Sequence, residues 1–182
     1  NIVSVDIGGS EEAFPPGPFA PVFRRARGIG LHLVAHAGEA AGAESIWGAV
    51  RDLGVERIGH GIAARDDPRL MDHLKERGIA IEACPSSNVS TGAIPSLERH
   101  PIRTFYDRGL LVTANTDDPS MFNTDMNSEY LRLRSGLNFT IRELFGLGLN
   151  AIDSSFLTED ERASMRESFV DEYQHLLDEG RS

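Results

Sequence analysis

The sequence has one cysteine, a shortage of basic residues and no long apolar run, and each shortage excludes a class of protein. Cys84 is the only cysteine, so the chain has neither an internal disulfide nor a thiolate cluster for zinc. With 28 acidic against 18 basic residues and a net charge of −10, it lacks the basic surface that nucleic acids require. No apolar stretch approaches the roughly 20 residues that span a bilayer. We therefore expect no nucleic-acid or membrane partner, and a reducing, cytoplasmic setting.

Five short apolar segments alternate with segments of helical periodicity. The predicted strands are residues 2–5, 31–35, 57–61, 79–83 and 110–114. Apolar spacing and the positions of glycine and proline predict helices at 21–27, 43–53, 66–78, 102–108, 127–135, 140–147 and 158–177. Residues 86–95 are rich in turn formers and predict a loop. Such alternation is typical of a parallel sheet covered by helices.

Two architectures fit this alternation, an open doubly wound sheet and an (α/β)8 barrel. No strand is followed by a glycine-rich nucleotide-binding motif, which disfavours the open sheet. Every predicted strand ends instead in polar residues, as in a barrel active site: Asp6, His36, His60, Ser86 to Asn88, and Asp117 with Asp118. A barrel has eight strands in about 250 residues. We therefore expect residues 1–182 to form one partial domain, strands 4 to 8 and the C-terminal helices of a TIM-type (β/α)8 barrel whose N-terminal strands are missing.

The segment His36-Ala37-Gly38-Glu39 places an imidazole and a carboxylate near one strand end. Neutral imidazole is a good zinc ligand. Gly38 allows a tight turn that returns Glu39 to the same pocket, where apolar walls would raise the carboxyl pKa and suit a general acid. One histidine and one glutamate near a strand end are nevertheless common, so the pair alone is a weak signal.

Two further strand ends carry side chains with catalytic chemistry. Flanking glycines would leave His60 exposed to polarise a water or a metal-bound hydroxide, although a histidine packed under a loop is the simpler interpretation. Asp117 and Asp118 end a buried strand, which is costly unless a metal or hydrogen-bond donors meet them. Helix capping before Pro119 explains Asp118 but not Asp117. Cys84 has no C-x-x-C partner, and we expect it to be buried and inert.

In this order, the motifs resemble the adenosine deaminase family of metal-dependent purine deaminases. The resemblance covers nearly the whole chain, and five motifs in order with family-like gaps are highly specific. The matching segments are Asp6-Ile7-Gly8-Gly9, His36-Ala37-Gly38-Glu39, Arg57-Ile58-Gly59-His60-Gly61, Cys84-Pro85-Ser86-Ser87-Asn88 with Thr91-Gly92, and Asn115-Thr116-Asp117-Asp118-Pro119.

The resemblance implies one catalytic Zn²⁺ per complete site, with His36 and Asp117 among its ligands. Glu39 would protonate the purine ring nitrogen beside the carbon under attack, and His60 would orient and activate the zinc hydroxide. The implied reaction is hydrolytic deamination of a 6-aminopurine nucleoside, adenosine to inosine plus ammonia.

On the substrate side, the resemblance implies that Asp118 accepts a hydrogen bond from the purine and that the backbone of Gly9 donates one. Residues 8–11 read Gly-Gly-Ser-Glu where adenosine deaminases usually have Ala-Gly-Asp-Glu. The small-molecule partner therefore stays open between a nucleoside and a base, with adenine and aminodeoxyfutalosine as alternative substrates. A non-catalytic barrel that serves as a binding scaffold is a second alternative, which the retained acidic cluster disfavours. Oligomeric state is left open.

The family's first strand carries a His-x-His pair that completes the zinc site, and this sequence has none. The other histidines, His32, His73, His100 and His175, are not at predicted strand ends. Two ligands are fewer than the three that a catalytic zinc site typically has.

We predict that the chain alone binds zinc weakly and does not deaminate adenosine. Zinc titration and an ammonia-release assay on the purified chain test this, and turnover at ordinary enzyme rates would contradict it.

Overall fold

The five predicted strands form one parallel sheet in sequence order. The structure, a computed structural model, describes residues 2–180. The strands are β1 (Ser4–Val5), β2 (His32–Ala37), β3 (Arg57–His60), β4 (Ala80–Ala83) and β5 (Val112–Ala114), and each pairs with the next. In a doubly wound sheet the strand order reverses at a switch point, whereas around a barrel it runs on without reversal. The sheet therefore has the winding of a barrel.

Helices fill the connections and follow the last strand. They are α1 (Ala20–Gly28), α2 (Ala43–Gly48), α3 (Pro68–Arg77), α4 (Pro85–Ser90), α5 (Ile102–Asp107), α6 (Pro119–Phe122), α7 (Met126–Leu137), α8 (Ile141–Asp153) and α9 (Glu159–Glu179). A π-helical turn, Ala49–Leu53, continues α2, and 3-10 turns lie at Gly17–Phe19, Ile62–Asp66 and Leu97–Arg99. None of the helices within residues 2–180 has both the length and the apolar character that crossing a membrane requires.

Most predicted helices are confirmed, and capping explains several of their boundaries. The capping box at Thr158 and Glu161 begins α9. At α3, the N-cap is Asp67, whose carboxylate accepts hydrogen bonds from two backbone N–H groups of the first turn. The helix predicted at 140–147 continues to Asp153 as α8. Gly146 and Gly148 lie inside this helix and do not end it.

The prediction of a loop over residues 86–95 is wrong for its first half, which is α4. Pro85 occupies the first turn of this helix, where a missing N–H removes no intrahelical hydrogen bond. Serine and asparagine favour turns in isolation, but here Ser87 and Asn88 are buried against the strand ends. Tertiary contacts of these two side chains therefore override their local preference.

Alternation along the strands separates an apolar face from a polar face. The side chains that pack against the helices are fully buried: Leu33, Ala35, Ile58, Ile81 and Val112. The opposite face, which is the interior face of a barrel, carries His36, the Arg57–Glu82 ion pair at 3.0 Å, and Thr113. The hydrophobic core thus lies on the helix side of the sheet, and the polar side chains lie on the side that faces the barrel interior.

Register brings the chemistry-bearing residues to one end of the sheet. His36 on β2 pairs with Gly59 on β3, and Ala83 at the end of β4 pairs with Ala114 at the end of β5. A Cβ at Gly59 would lie 3.1 Å from Cγ of His36, so the glycine makes room for the imidazole. Although β1 has only two residues, the His36 N–H also donates to the Ile7 carbonyl at 2.9 Å. Contacts with β3 and with the segment that follows β1 therefore fix the position of His36.

Replacing Ile81 by alanine tests the helix-side core. Ile81 is 0% exposed in the middle of the sheet, and a cavity at such a site costs about 2–5 kcal/mol of unfolding free energy. Urea unfolding of the purified variants measures this loss. Ile29→Ala is the matched control, since Ile29 is 69% exposed and should change stability by less than about 0.5 kcal/mol. Equal losses in both variants would contradict the assignment of the core.

Candidate active site

Two adjoining clefts at the carboxyl ends of the strands contain five of the six predicted site residues. One cleft, of about 300 Å³, is lined by His36, His60 and Asp117 together with residues of β3, β4 and the β5 loop. The other, of about 220 Å³, is lined by His36, Gly9 and Glu39. His36 borders both clefts, so the predicted residues meet around one imidazole. Asp118 lines neither cleft.

His36 is held by a carboxylate on the neighbouring strand end. Its Nδ1 lies 3.0 Å from Oδ2 of Asp6, and this hydrogen bond raises the pKa of the imidazole. Because the hydrogen bond uses Nδ1, the other ring nitrogen, Nε2, is left to bind a ligand. A carboxylate behind an imidazole is the arrangement that commonly orients a zinc-ligating histidine.

Asp117 and Asp118 have different environments although they are adjacent. Asp117 has a left-handed backbone with φ of 58°, which aspartate tolerates better than most residues. Its Oδ2 accepts a hydrogen bond from Ser87 Oγ at 2.6 Å. Asp118 is the N-cap of α6, where Oδ1 accepts from the Met121 N–H at 3.1 Å. The capping interpretation therefore accounts for Asp118, and its predicted contact with a purine stays a prediction.

Of the two interpretations of His60, exposure through its flanking glycines is wrong and packing in the interior is confirmed, because His60 is only 3% exposed. Gly61, which follows the strand, has a left-handed backbone with φ of 61°, and the α4 side chain that contacts the ring is Asn88. Nδ1 of His60 lies 3.0 Å from Nδ2 of Asn88, and Nε2 lies 3.4 Å from Oε2 of Glu39. Burial is the main cause that lowers the pKa of His60, partly offset by the charge of Glu39. The imidazole is thus packed beside the predicted acid rather than open to solvent.

The turn that carries Glu39 is organised by Glu11, a residue that sequence analysis missed. The Glu11 carboxylate accepts hydrogen bonds from the backbone N–H groups of four successive residues, 38–41. At Gly38, φ is 73° and a Cβ would meet Cγ1 of Ile46 at 2.6 Å, so only glycine fits. Together these contacts fix the direction in which Glu39 leaves the backbone.

Asn88 and His100 extend the site behind Glu39. Asn88, which is 0% exposed, donates from Nδ2 to Oε1 of Glu39 at 3.1 Å. His100 is 3% exposed and its Nε2 lies 3.1 Å from Oδ1 of Asn88. Because His100 precedes a proline and lies far from any strand end in the sequence, periodicity gave no signal for it. Only the fold of α4 and α5 brings it near the cleft.

Cys84 is buried, as expected. Its thiol lies 3.5 Å from the Glu82 carbonyl, and burial raises the pKa of the thiol. Among residues 2–180, one set of three potential metal ligands has its donor atoms within 4.8 Å of one another, namely His60, Cys84 and Asp117. His36 lies on the same cleft but outside this set.

Comparison with known proteins places this chain in a family. Residues 1–173 match the sequence model described as adenosine deaminase. The chain belongs to the adenosine deaminase family, which confirms the resemblance seen in its motifs.

Curated relatives and solved structures agree on the extent of the match. The chain is 44% identical over 165 residues to an adenosine deaminase of Erwinia tasmaniensis, covering 91% of this chain and 50% of the relative. It is 46% identical over 156 residues to an aminodeoxyfutalosine deaminase of Streptomyces avermitilis, covering 86% of this chain and 44% of the relative. The chain thus spans about half the length of the curated relatives it matches.

Two solved structures share the fold closely. An adenine deaminase from Arthrobacter aurescens superposes with a TM-score of 0.91 at 31% identity, covering 94% of this chain and 53% of that one. An amidohydrolase from Burkholderia ambifaria, solved with bound Zn, gives 0.90 at 30% identity, covering 97% and 50%. The α/β fold of this chain therefore corresponds to about half of the TIM-barrel deaminases and amidohydrolases that it matches.

Burial of His100 predicts a pH dependence of stability. Burial lowers the pKa of His100 to about 3, whereas an imidazole in the unfolded chain takes up a proton near pH 6.5. Between these values the unfolded state binds more protons, so the contribution of His100 to stability is complete above pH 6.5 and is lost as the pH falls toward 3.

Urea unfolding of the wild type and of His100→Gln measures this contribution. Glutamine does not titrate, so the wild type should lose roughly 1–2 kcal/mol more than the variant between about pH 7 and about pH 5. The other titrating groups are common to the two proteins, so most of their contribution cancels in the comparison. Identical losses would mean that His100 is protonated in the folded state.

Proposed function

We propose that this chain forms strands 4 to 8 of a zinc-dependent (β/α)8 deaminase and, with the rest of the barrel, hydrolyses a 6-aminopurine nucleoside. The overall reaction converts adenosine and water to inosine and ammonia. The observation that carries the proposal is that His36 and Asp117 line one cleft while each already has one side-chain atom engaged by the protein. Such pairing orients side chains for a further ligand.

The donor chemistry of these two residues fits a zinc ion. Asp6 binds Nδ1 of His36, which leaves the Nε2 lone pair, and Ser87 binds Oδ2 of Asp117, which leaves Oδ1. Imidazole nitrogen and carboxylate oxygen are both ordinary zinc ligands. When bound, the metal lowers the pKa of a coordinated water toward 7 and so supplies a nucleophile at neutral pH. The zinc-containing Burkholderia relative supports this metal.

The set of His60, Cys84 and Asp117 is a weaker candidate for the metal. Both ring nitrogens of His60 already face protein partners, Nδ1 facing Asn88 and Nε2 facing Glu39, whereas Nε2 of His36 is left for a ligand. The raised pKa of Cys84 keeps its thiol protonated, with burial as the main cause and the negative charges of Asp117 and Glu82 adding to it. We therefore assign zinc binding in this chain to His36 and Asp117, with the remaining ligands coming from the rest of the barrel.

Glu39 is the proposed proton donor to the purine. Its Oε1 accepts a hydrogen bond from Asn88, and its Oε2 lies beside Nε2 of His60, so the carboxyl group is held at both oxygens. Protonation of the ring nitrogen next to the amino-bearing carbon makes that carbon more electrophilic toward water. His60, buried beside Glu39, would orient the attacking oxygen. Ammonia then leaves and the 6-oxo purine forms.

Substrate contacts are assigned to Gly9 and Asp118. Gly9 lines the cleft beside Glu39 with φ of 126°, and nothing lies within 4 Å of the position of a Cβ, so a ring can approach its backbone closely. Oδ1 of Asp118 caps α6 and its Oδ2 is the atom we assign to the purine. The Streptomyces and Arthrobacter relatives keep aminodeoxyfutalosine and adenine as alternative substrates.

A metal-free scaffold is the competing proposal, and the zinc content of the complete protein decides between scaffold and enzyme.

The reducing cytoplasm is the proposed location, since the single cysteine is a free, buried thiol.

Complementation tests the proposed enzyme. This chain is co-expressed with the half of the Erwinia enzyme that it does not match, and the purified complex is assayed on adenosine, adenine and aminodeoxyfutalosine. We expect about one zinc per complex, adenosine turnover, and a loss of about 10²–10⁴-fold in kcat for Glu39→Gln, as for other general acids. Glu44→Gln, at an exposed position in the first turn of α2, is the matched control.

Two results would overturn the proposal. One is a complex that binds its purine without zinc, which supports the scaffold. The other is a Glu39→Gln complex as active as Glu44→Gln, which removes Glu39 from the chemistry.

A further inference from the structure

A buried chain of hydrogen bonds runs from the backbone of α5 to the two proposed catalytic side chains. Its members in order are Ile102, His100, Asn88, and then His60 and Glu39 together. We propose that Asn88 and His100 are positioning residues that hold His60 as the Nε2–H tautomer and fix the carboxyl group of Glu39. The roles of His60 and Glu39 rest on the proposed function, whereas the tautomers are independent of it.

The protonation pattern begins at a backbone group that can only donate. The N–H of Ile102, in the first turn of α5, lies 3.2 Å from Nδ1 of His100. This N–H has no partner within its own helix. Nδ1 of His100 must therefore accept, and the single proton of the neutral ring lies on Nε2. The strongly lowered pKa of His100 agrees with a neutral ring.

The proton on His100 then sets the orientation of the Asn88 amide. Nε2–H of His100 donates to Oδ1 of Asn88 at 3.1 Å, because an amide NH2 at this position would oppose donor to donor. The amide NH2 consequently points toward the cleft. Asn88 Nδ2 donates one hydrogen to Oε1 of Glu39, 3.1 Å away, and the other to Nδ1 of His60, 3.0 Å away. Both donors of the amide are satisfied.

The amide in turn determines what His60 presents to the cleft. Since the NH2 group of Asn88 cannot accept, Nδ1 of His60 carries a lone pair and the proton of the neutral ring lies on Nε2. His60 therefore offers an N–H, not a lone pair, toward Glu39 and the reacting groups. A neutral ring in this state can orient an oxygen by donating to it, but it cannot remove a proton through Nε2.

Burial makes each hydrogen bond in this series hard to replace. His60, Asn88 and His100 are each nearly inaccessible to solvent, so water does not replace a lost partner readily. If His100 loses its Nε2–H donor, the Asn88 amide is free to rotate by 180° and to turn its oxygen toward His60. That rotation would favour the Nδ1–H tautomer of His60 and would withdraw the hydrogen bond from Glu39.

Nitrogen-15 NMR of the imidazoles tests the tautomers directly. The chain is labelled with 15N-histidine, and two-bond 1H–15N spectra near neutral pH distinguish the two nitrogens of each ring. We expect His60 and His100 both to be locked as Nε2–H tautomers. An Nδ1–H tautomer for either ring, or the averaged pattern of a free imidazole, would overturn the proposal. Neither result depends on deaminase activity, so a failure of the proposed function would be seen separately.

Paired variants of His100 separate positioning from simple packing. The side-chain amide introduced by His100→Gln retains an N–H for Asn88, whereas His100→Leu fills the space without a donor. His175→Leu, at an exposed histidine of α9, is the matched control. In the complemented barrel, we expect His100→Leu to lower kcat by about 10–100-fold, as for other residues that orient a site, with KM little changed. His100→Gln should recover most of this loss.

The NMR signature is read on the same variants. His60 should keep the Nε2–H tautomer in His100→Gln and His175→Leu, and should lose it in His100→Leu. If His100→Leu and His100→Gln lower kcat equally while the His60 tautomer is unchanged in both, His100 only packs and the proposal is wrong. If His100→Leu does not fold, the tautomers of the wild type and of His100→Gln still decide the outcome.

Discussion

The parallel register between β2 and β3 is the constraint on which the rest of the site depends. It sets His36 beside Gly59 and the end of β2 beside His60. Because side chains alternate between the two faces of a strand, a shift of one residue would turn His36 into the apolar layer under the helices. Gly59 reinforces the register, since any larger residue there would press on the imidazole. Positions of the other site residues follow from this pairing.

Much of the fold was predictable because the signals were local. Each strand is a short apolar run between turn formers, and each ends at polar residues that the parallel arrangement gathers at one edge. The same logic predicts that His36, Glu39, His60 and Asp117 lie near one another, and in the structure they line two adjoining clefts. Family motifs added the expected roles of these residues, which spacing alone did not give.

What the sequence did not disclose depends on contacts between distant segments. The loop expected after β4 begins as a helix, because Ser87 and Asn88 find partners at the ends of other strands. His60 is buried although glycines flank it, and Asn88 of the same helix contacts its ring. His100 and Glu11 were overlooked because neither stands at a strand end. Hydrogen bonds across 27 residues from Glu11 to Gly38, and across 12 from His100 to Asn88, have no periodic signature.

The turn at residues 38–41 has a consequence for ligand binding. Successive backbone amides that point into one concavity make a nest that captures phosphate or sulfate in many proteins. Here the protein's own carboxylate, Glu11, fills that nest. The nest is therefore closed to outside anions, and hydrogen bonds within the protein hold the loop in shape, so a ligand that enters the cleft spends little of its affinity on ordering it.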